Sequence, residues 1–366
     1  MSNAPPLISV LVNTYNHEPY IEQAIVSVLE QDFPAADTEI IAVDDGSTDN
    51  TPAIIHKLAG HSEFASRIRF IRKENGGQAS AFNVGIPETH AELVAFLDGD
   101  DWWAKEKLSA VVEAFSKNPD VAAVGHGFFD TLSNGELSEL VVPRAVCHVG
   151  LKGLEETRTA TVAKCFLATS KLTVRRRILQ RLGRIPEQLT FCADEPIMDA
   201  ALALGGAILL DRPLAYYRYH GGNMFGFGST DPVRNRKRYD VQVFLIKFLR
   251  EMLPEFGVTP DRIELMVQRY QLDTDRFEAL YGGGGRRQAF RAESRYFRQE
   301  YKNASAGYLL FKAAVAALTL LLPPARFYQV RDWYAKRNLR RVRQTIGDAE
   351  PMFPEMYKRV RLLDRN

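Results

Sequence analysis

The amino-acid sequence predicts an α/β fold, a mostly parallel, doubly wound sheet with flanking helices, followed by a helical C-terminal region. Three observations predict it. Between Ile8 and Val124, short apolar strand patterns alternate four times with helical ones across short connections, and such alternation builds a parallel sheet through right-handed crossovers. Each strand pattern ends in polar residues: Thr14-Tyr15-Asn16, Asp44-Asp45, Asn75-Gly76-Gly77 and Asp98-Gly99-Asp100. Open α/β sheets bind ligands outside the carboxyl ends of their strands, so four such tips converge on one crevice. The third observation is Leu93 to Trp103, LVAFLDGDDWW, in which five apolar residues run into three carboxylates and two tryptophans. An apolar run of that length fits a strand buried on both faces.

The first strand is Ile8 to Val12, and a helical pattern follows from Tyr20, with Ile21, Ala24, Ile25, Val28 and Leu29 on one face. Glu39 to Val43 is the second strand, and a helix begins near Pro52, a residue suited to a first turn. Ile68 to Ile71 is the third strand; a short helix from Gln78 leads to Gly85 and the strand at Leu93. A helix over Lys105 to Lys117 and a strand over Val121 to Val124 complete the alternation. From Gly127 to Gly150 the regularity is lost. Val174 to Leu182 reads as an amphipathic basic helix, Asp194 opens a helix through Leu204, and Ala207 to Leu210 with Leu214 to Tyr217 reads as a closing strand.

The net charge of +2 hides an asymmetry. Met1 to Val233 carries 20 Lys and Arg against 30 Asp and Glu, while Arg234 to Asn366 carries 27 against 15. An acidic part is thus joined to a basic part, and a basic surface implies an anionic partner. The three cysteines, Cys147, Cys165 and Cys192, form no C-x-x-C pattern, so neither a zinc site nor a disulfide framework is indicated, and a cytoplasmic setting fits. The N-terminus MSNAPPLISV lacks the charged and apolar regions of a signal peptide.

Asp98, Asp100 and Asp101 cannot all be buried and unpaired, because each desolvated charge is costly. Carboxylates placed where Gly99 lets the backbone turn supply the hard oxygen ligands that Mg2+ or Mn2+ requires; a solvated acidic turn is the plain alternative. Asp44 to Asp49 makes a poor calcium loop and a good turn, with Asp49 suited to capping. Gly76 and Gly77 allow close backbone approach to a ligand at a helix start.

NTYN, VDDGSTD, ENGGQASAFNVG and AFLDGDDWW, in this order and spacing, resemble the inverting family 2 glycosyltransferases of the GT-A fold. The resemblance covers roughly Leu7 to Gly127 and reaches His220 more weakly. It implies a GT-A domain over residues 1–233, with a nucleotide-sugar half to about 127 and an acceptor half over 128–233, ahead of a basic helical region over 234–366. It further implies that Asp45 contacts the nucleotide base, that Thr14, Tyr15 and Asn16 line the base or ribose, and that Asn75, Gly76, Gly77 and Asn83 help hold the donor. The family often has an Arg where this chain has Phe82. By the same resemblance Asp100 binds the metal, Asp98 the ribose or metal, and His220 the diphosphate or metal. One member of an acidic pair acts as general base. The family order is Glu-Asp, whereas this chain reads Asp194-Glu195, so both residues stay candidates beside a helix-dipole role.

Beyond Val233 the family motifs stop, and helical periodicity returns in Tyr239 to Leu253, Arg262 to Tyr270 and Arg287 to Tyr301. Ala306 to Leu322 is apolar except for Lys312 and is at the short limit for a bilayer of ~30 Å. Phe327, Tyr328, Trp333 and Tyr334 follow among many arginines. This combination reads as peripheral contact with an anionic membrane surface, on the cytoplasmic face; packing against the first domain or in a dimer is the alternative. Nucleic acid is the weaker partner, since no recognition motif accompanies the charge.

The resulting expectation is a metal-dependent transfer of sugar from a UDP-, GDP- or dTDP-sugar to a glycan or lipid-linked acceptor, in envelope or exopolysaccharide synthesis. A nucleotidyltransferase and a non-catalytic membrane adaptor are the competing classes. A dehydrogenase is disfavoured because no G-x-G-x-x-G follows the first strand.

Overall fold

The computed structural model describes residues 5–62, 64–220, 222–223, 232–281, 285–300, 306–327, 329–330 and 357–361. They fall into two compact units. The first takes Met1–Asn223, Arg250–Ile263 and Met356–Asn366, and the second Met224–Leu249 and Glu264–Glu355.

In the first unit the elements run β1 (Ile8–Thr14), α1 (Ile21–Leu29), β2 (Thr38–Asp44), α2 (Thr51–Gly60), β3 (Ile68–Arg72), α3 (Gln78–Gly85), β4 (Leu93–Asp98), β5 (Trp102–Trp103), α4 (Lys107–Lys117), β6 (Ala123–Leu132), β7 (Leu137–Pro143), β8 (Cys147–Val149), α5 (Leu154–Ala163), β9 (Thr173–Arg175), α6 (Arg176–Leu182), α7 (Asp194–Leu204) and β10 (Ala207–Tyr219). The predicted α/β class is correct. Strands β4, β1, β2 and β3 lie side by side and parallel. β1 and β4 are buried on both faces until their last residues, as a sheet covered by helices on two sides requires.

Beyond β4 the sheet becomes mixed, and the sequence reading is corrected there. The irregular stretch after Gly127 is an antiparallel excursion: β6 is ten residues long rather than ending at Val124, and it pairs antiparallel with β7. The helix predicted over Val174 to Leu182 starts only at Arg176. Thr173 and Val174 are strand because they pair with both Ala95–Val94 of β4 and Val124–Ala123 of β6, wedging β9 between two strands. Ladder hydrogen bonding to two neighbours outweighs a local helical pattern. β10 is one strand of 13 residues, parallel to β6, with register shifts on either side of Pro213, where a missing N–H favours an irregular ladder. Cys147, Cys165 and Cys192 form no disulfide.

After β10 come α8 (Pro232–Met252), α9 (Pro260–Tyr281), α10 (Gly285–Glu300), α11 (Ala306–Leu321) and a last strand, β11 (Tyr357–Arg361), which pairs antiparallel with β7 in the first unit. In the second unit Ala279, Ala289 and Phe327 form a small core with Val315 and Leu322. Arg276 makes a two-pronged ion pair with Glu293 at 2.9 and 3.1 Å. Among the described residues no helix is long and apolar enough to cross a membrane. Tyr328, Trp333, Tyr334 and the basic residues from Arg331 to Arg343 lie outside the described residues.

Packing in the first unit is tight where β6 passes under the Lys164–Phe166 turn. A Cβ on Gly125 would stand 2.3 Å from the Phe166 carbonyl oxygen, whereas one on Gly60, at the end of α2, meets nothing. Gly125→Ala is therefore expected to lower unfolding free energy by about 1–3 kcal/mol, and Gly60→Ala to leave it unchanged or slightly raised; urea titrations of both variants check this.

Candidate active site

The end of β4 gathers three carboxylates. Asp98 accepts from Asn13 Nδ2 at 2.9 Å, and Asp101 accepts from the Ser170 hydroxyl at 2.5 Å and from the Arg218 N–H at 2.9 Å. Asp100 faces two imidazoles: His220 Nε2 at 2.8 Å and His17 Nε2 at 3.8 Å. The Gly222 N–H donates to His220 Nδ1 at 3.1 Å, so the proton of a neutral ring is on Nε2 and points at Asp100. Burial, reinforced by Asp100 and Asp101, holds the Asp98 carboxyl well above its ordinary range. Burial and then Asp100 push Asp101 up to about 7. For Asp100 the burial effect is outweighed by His17 and His220, and its pKa is lowered.

Among the described residues, two sets of side chains bring ligand atoms within 4.8 Å of one another: Asp98, Asp100 and Asp101, and His17, Asp100 and His220. Asp100 belongs to both. Carboxylate oxygens suit Mg2+ and Mn2+, and imidazole nitrogens shift the preference toward transition metals; the donor set fits a divalent cation.

A loop over residues 168–171 supports the cluster from behind. The Ser170 hydroxyl accepts from the Asp98 N–H at 3.2 Å while donating to Asp101. Its carbonyl accepts from Trp103 Nε1 at 2.8 Å and from the buried Lys107 at 3.0 Å. Thr169, the residue before it, donates to Asp194 Oδ2 through both its N–H (2.8 Å) and its hydroxyl (2.9 Å). Gln78 joins these groups. Its amide nitrogen lies 3.2 Å from Thr169 Oγ1 and 3.4 Å from Asp98 Oδ1, and its oxygen accepts from the Ala193 N–H at 2.9 Å. Cys192, two residues before Asp194, sits at φ 60, a conformation uncommon outside glycine.

The structure separates the acidic pair. Asp194 is tied to the carboxylate cluster through Thr169 and Gln78. Burial and then Glu195 raise its pKa. Glu195 instead pairs with Lys164 at 2.8 Å, and the same ammonium lies 2.7 Å from Asp199.

Other predicted residues form a second cluster. The Asp45 carboxylate accepts from Lys73 Nζ (2.6 Å), Asn75 Nδ2 (3.1 Å) and the N–H groups of Gly76 (3.0 Å) and Gly77 (2.7 Å). It thus clasps the loop that the sequence reading set beside it. Gly77, at φ 86, is confined further, because a Cβ there would stand 2.6 Å from Thr190 Cα. Asn16, at φ 54, accepts from the Thr48 N–H at 2.8 Å, Thr14 is buried and Tyr15 is exposed. Asp49 accepts from the Thr51 N–H at the start of α2. Asn83 does not join either cluster. Both polar atoms of its amide bind the Ile185 backbone, at 2.7 and 2.9 Å, and brace α3 against the 185 loop.

His17, Gln78, Thr169 and Ser170 escaped the sequence reading. His17 follows the NTYN tip, and a histidine one residue past a strand-end motif is a usable signal. Thr169 and Ser170 carry no local pattern, because their roles come from the loop that precedes β9 and folds against the end of β4. Arg218, also unassigned, donates to the Asp100 carbonyl at 2.9 Å and to Gln23 at 2.6 Å. Its guanidinium lies over Tyr20 and Trp102, 4.6 and 4.4 Å from their ring centroids, and Tyr216 stacks on the other side of Trp102 at 4.8 Å.

Residues 9–181 match the profile of glycosyl transferase family 2. An uncharacterized glycosyltransferase of Nostoc sp. is 35% identical over 224 residues, covering 59% of this chain and 66% of that protein. The structure of S. aureus TarS residues 1–349 in complex with UDP-GlcNAc aligns with a TM-score of 0.51 at 19% identity, covering 88% of this chain and 92% of that one; TarS is named a poly(ribitol-phosphate) beta-N-acetylglucosaminyltransferase. The mannosyltransferase PcManGT of Pyrobaculum calidifontis, in complex with GDP-Man and Mn2+, gives a TM-score of 0.51 at 19% identity, covering 91% and 85%. Both structures share the fold. The matched stretch spans less than two thirds of the length of the curated relatives. The likeness to glycosyl transferase family 2 that the strand-end motifs carry is thus shown over residues 9–181.

The Lys164 network has a consequence for pH. One ammonium faces two carboxylates, Glu195 and the fully buried Asp199. Asp199 is pushed up to about 7 by burial, against Lys164 and with Glu195. An acid with a raised folded pKa stabilises fully below its unfolded value of ~3.9, and the contribution is lost as pH rises through the folded value. Asp199→Asn should therefore flatten the fall of the thermal midpoint between about pH 4 and 7, measured by calorimetry across that range.

Proposed function

We propose that this chain is a metal-dependent, inverting glycosyltransferase that moves a sugar from a nucleoside-diphosphate sugar to an acceptor hydroxyl. One observation carries the reading: of the three carboxylates at the end of β4, Asp98 is bridged through Gln78 and Thr169 to a fourth, Asp194, at the start of α7. Asp100 and Asp98 would hold Mn2+ or Mg2+, which when bound offsets the repulsion between a diphosphate and the acidic strand end and stabilises a departing diphosphate.

Asp194 is the general base. Thr169 fixes its carboxylate in one orientation with two hydrogen bonds, and its raised proton affinity is in the direction a base needs near neutral pH. The acceptor oxygen gives its proton to Asp194 and bonds to the anomeric carbon as the bond to the diphosphate oxygen breaks. A single displacement inverts the anomeric configuration. Glu195, held by Lys164, instead anchors the helix start. Asp45 with Asn75, Gly76 and Gly77 shapes the base end of the donor site, and Thr14, Tyr15 and Asn16 line it.

The donors held by the TarS and PcManGT structures, UDP-GlcNAc and GDP-Man, support a nucleoside-diphosphate sugar, with UDP-, GDP- and dTDP-sugars as the donors to try. The polymer acceptor in the TarS name supports an envelope or exopolysaccharide glycan, free or lipid-linked.

The second unit supports contact with an anionic membrane surface from the cytoplasmic side. α11 presents Leu310 (73% exposed), Leu318, Leu320 and Leu321 (70% exposed), and α10 has five arginines in 16 residues. An exposed apolar face beside a cationic helix is what an interfacial helix requires. In vesicle flotation we expect binding to phosphatidylserine-containing vesicles that weakens with salt and is lost in the double variant Leu310→Asp, Leu321→Asp. Equal flotation with zwitterionic vesicles would exclude the anionic surface.

Asp194→Asn is expected to lower kcat by about 10²–10⁴ with donor KM little changed, and Glu195→Gln to lower the thermal midpoint while retaining most of kcat. Asp100→Asn should remove metal-dependent nucleotide binding. A steady-state assay following release of nucleoside diphosphate reads the first two, and calorimetry reads the third. Pyrophosphate as the product would overturn the reading.

A further inference from the structure

The proposed reaction leaves His17 without a role. Its ring is mostly buried, with Nε2 directed at Asp100 Oδ2, 3.8 Å away, and Nδ1 3.2 Å from the Thr14 hydroxyl. The His17 N–H donates to Thr51 Oγ1 at 2.9 Å, which fixes the backbone of the loop. The ring stands edge-on to His220, with centroids 6.3 Å apart and an interplanar angle of 82°.

Gly99 makes this placement possible. A Cβ there would stand 2.6 Å from Thr14 Oγ1 and 2.9 Å from His17 Nδ1. The residue between the two aspartates therefore has to be small enough for the Thr14–His17 pair to close over it. An imidazole whose far nitrogen is held by an oxygen while the near one faces a carboxylate has the arrangement of a metal-ligating histidine, oriented by a partner outside the coordination sphere. His220 differs. The Gly222 N–H on its Nδ1 leaves the proton on Nε2, directed at Asp100, so ligation by His220 requires that proton to leave.

We propose that His17 Nε2 is a direct ligand of the divalent cation held by Asp100, giving the site a nitrogen donor that selects Mn2+ over Mg2+. Imidazole favours transition metals, while Mg2+ takes oxygen ligands. The proposal rests on the metal-dependent reading above.

The test uses the full chain and Mn2+ alone. In wild type, pulsed electron paramagnetic resonance of bound Mn2+ should show 14N modulation from histidine, and His17→Gln should weaken that modulation. The same substitution should raise the Kd for Mn2+ about tenfold or more and change the Kd for Mg2+ far less, with the thermal midpoint retained. Unchanged Mn2+ affinity and modulation in His17→Gln, with binding abolished in Asp100→Asn, would overturn the role of His17 and leave the metal site standing. Failure of the wild type to bind Mn2+, with or without UDP, would overturn both.

Discussion

The first unit is organised by the burial of like charge. Asp98, Asp100, Asp101 and Asp194 are grouped where water screens them poorly, Asp101 and Asp194 buried and Asp98 and Asp100 partly so, and two carboxylates that close cannot both ionise without compensation. Each therefore has its own partners: Asn13 for Asp98, two imidazoles for Asp100, Ser170 and the Arg218 backbone for Asp101, Thr169 for Asp194. Those partners come from β1, the loop after β1, the 168–171 loop and β10. A chain that left any of these segments loose would leave a desolvated charge unpaired. The mixed half of the sheet is the device that brings the last two segments to the strand end.

The parallel half was legible because its signals are local. Short, mainly apolar runs leading to Thr14, Asp44 and Asp98 identify strands and the side on which they open. The acidic cluster was legible for the same reason, since LDGDD states both the buried strand and its charged end. What could not be read depends on contacts between distant segments. Thr173 and Val174 look helical until two strands claim their backbone groups. Asn83 sits in a motif that suggests a ligand, yet Ile185, about a hundred positions away, takes both ends of its amide. The pair Asp194-Glu195 is symmetrical in sequence, and only Lys164 on one side and Thr169 on the other break the symmetry.

Asp45 illustrates how one residue can satisfy fold and site together. A carboxylate that gathers the N–H groups of Gly76 and Gly77 determines where that loop ends, and so where anything resting on the loop must lie. Gly46, at φ 79, permits this, since a Cβ there would stand 2.7 Å from the Asn75 nitrogen. The glycines on both sides of the clasp are thus required by contact as well as by dihedral angle.

The row Tyr20, Arg218, Trp102 and Tyr216 extends to Phe129, whose ring stacks on Tyr216 at 5.2 Å. It begins beside His220, 5.2 Å from Tyr20, so planar groups in mutual contact run from the acidic cluster across three strands. Trp102 lies inside this row, and Trp103 bonds to the Ser170 carbonyl that backs the carboxylates. Two of the three tryptophans in the chain therefore sit one residue away from the cluster, Trp102 through Arg218 and Trp103 through Ser170. Indole emission from Trp102 and Trp103, separated from that of Trp333 by a Trp333→Phe background, is thus expected to respond to a cation or diphosphate entering the crevice without any attached dye.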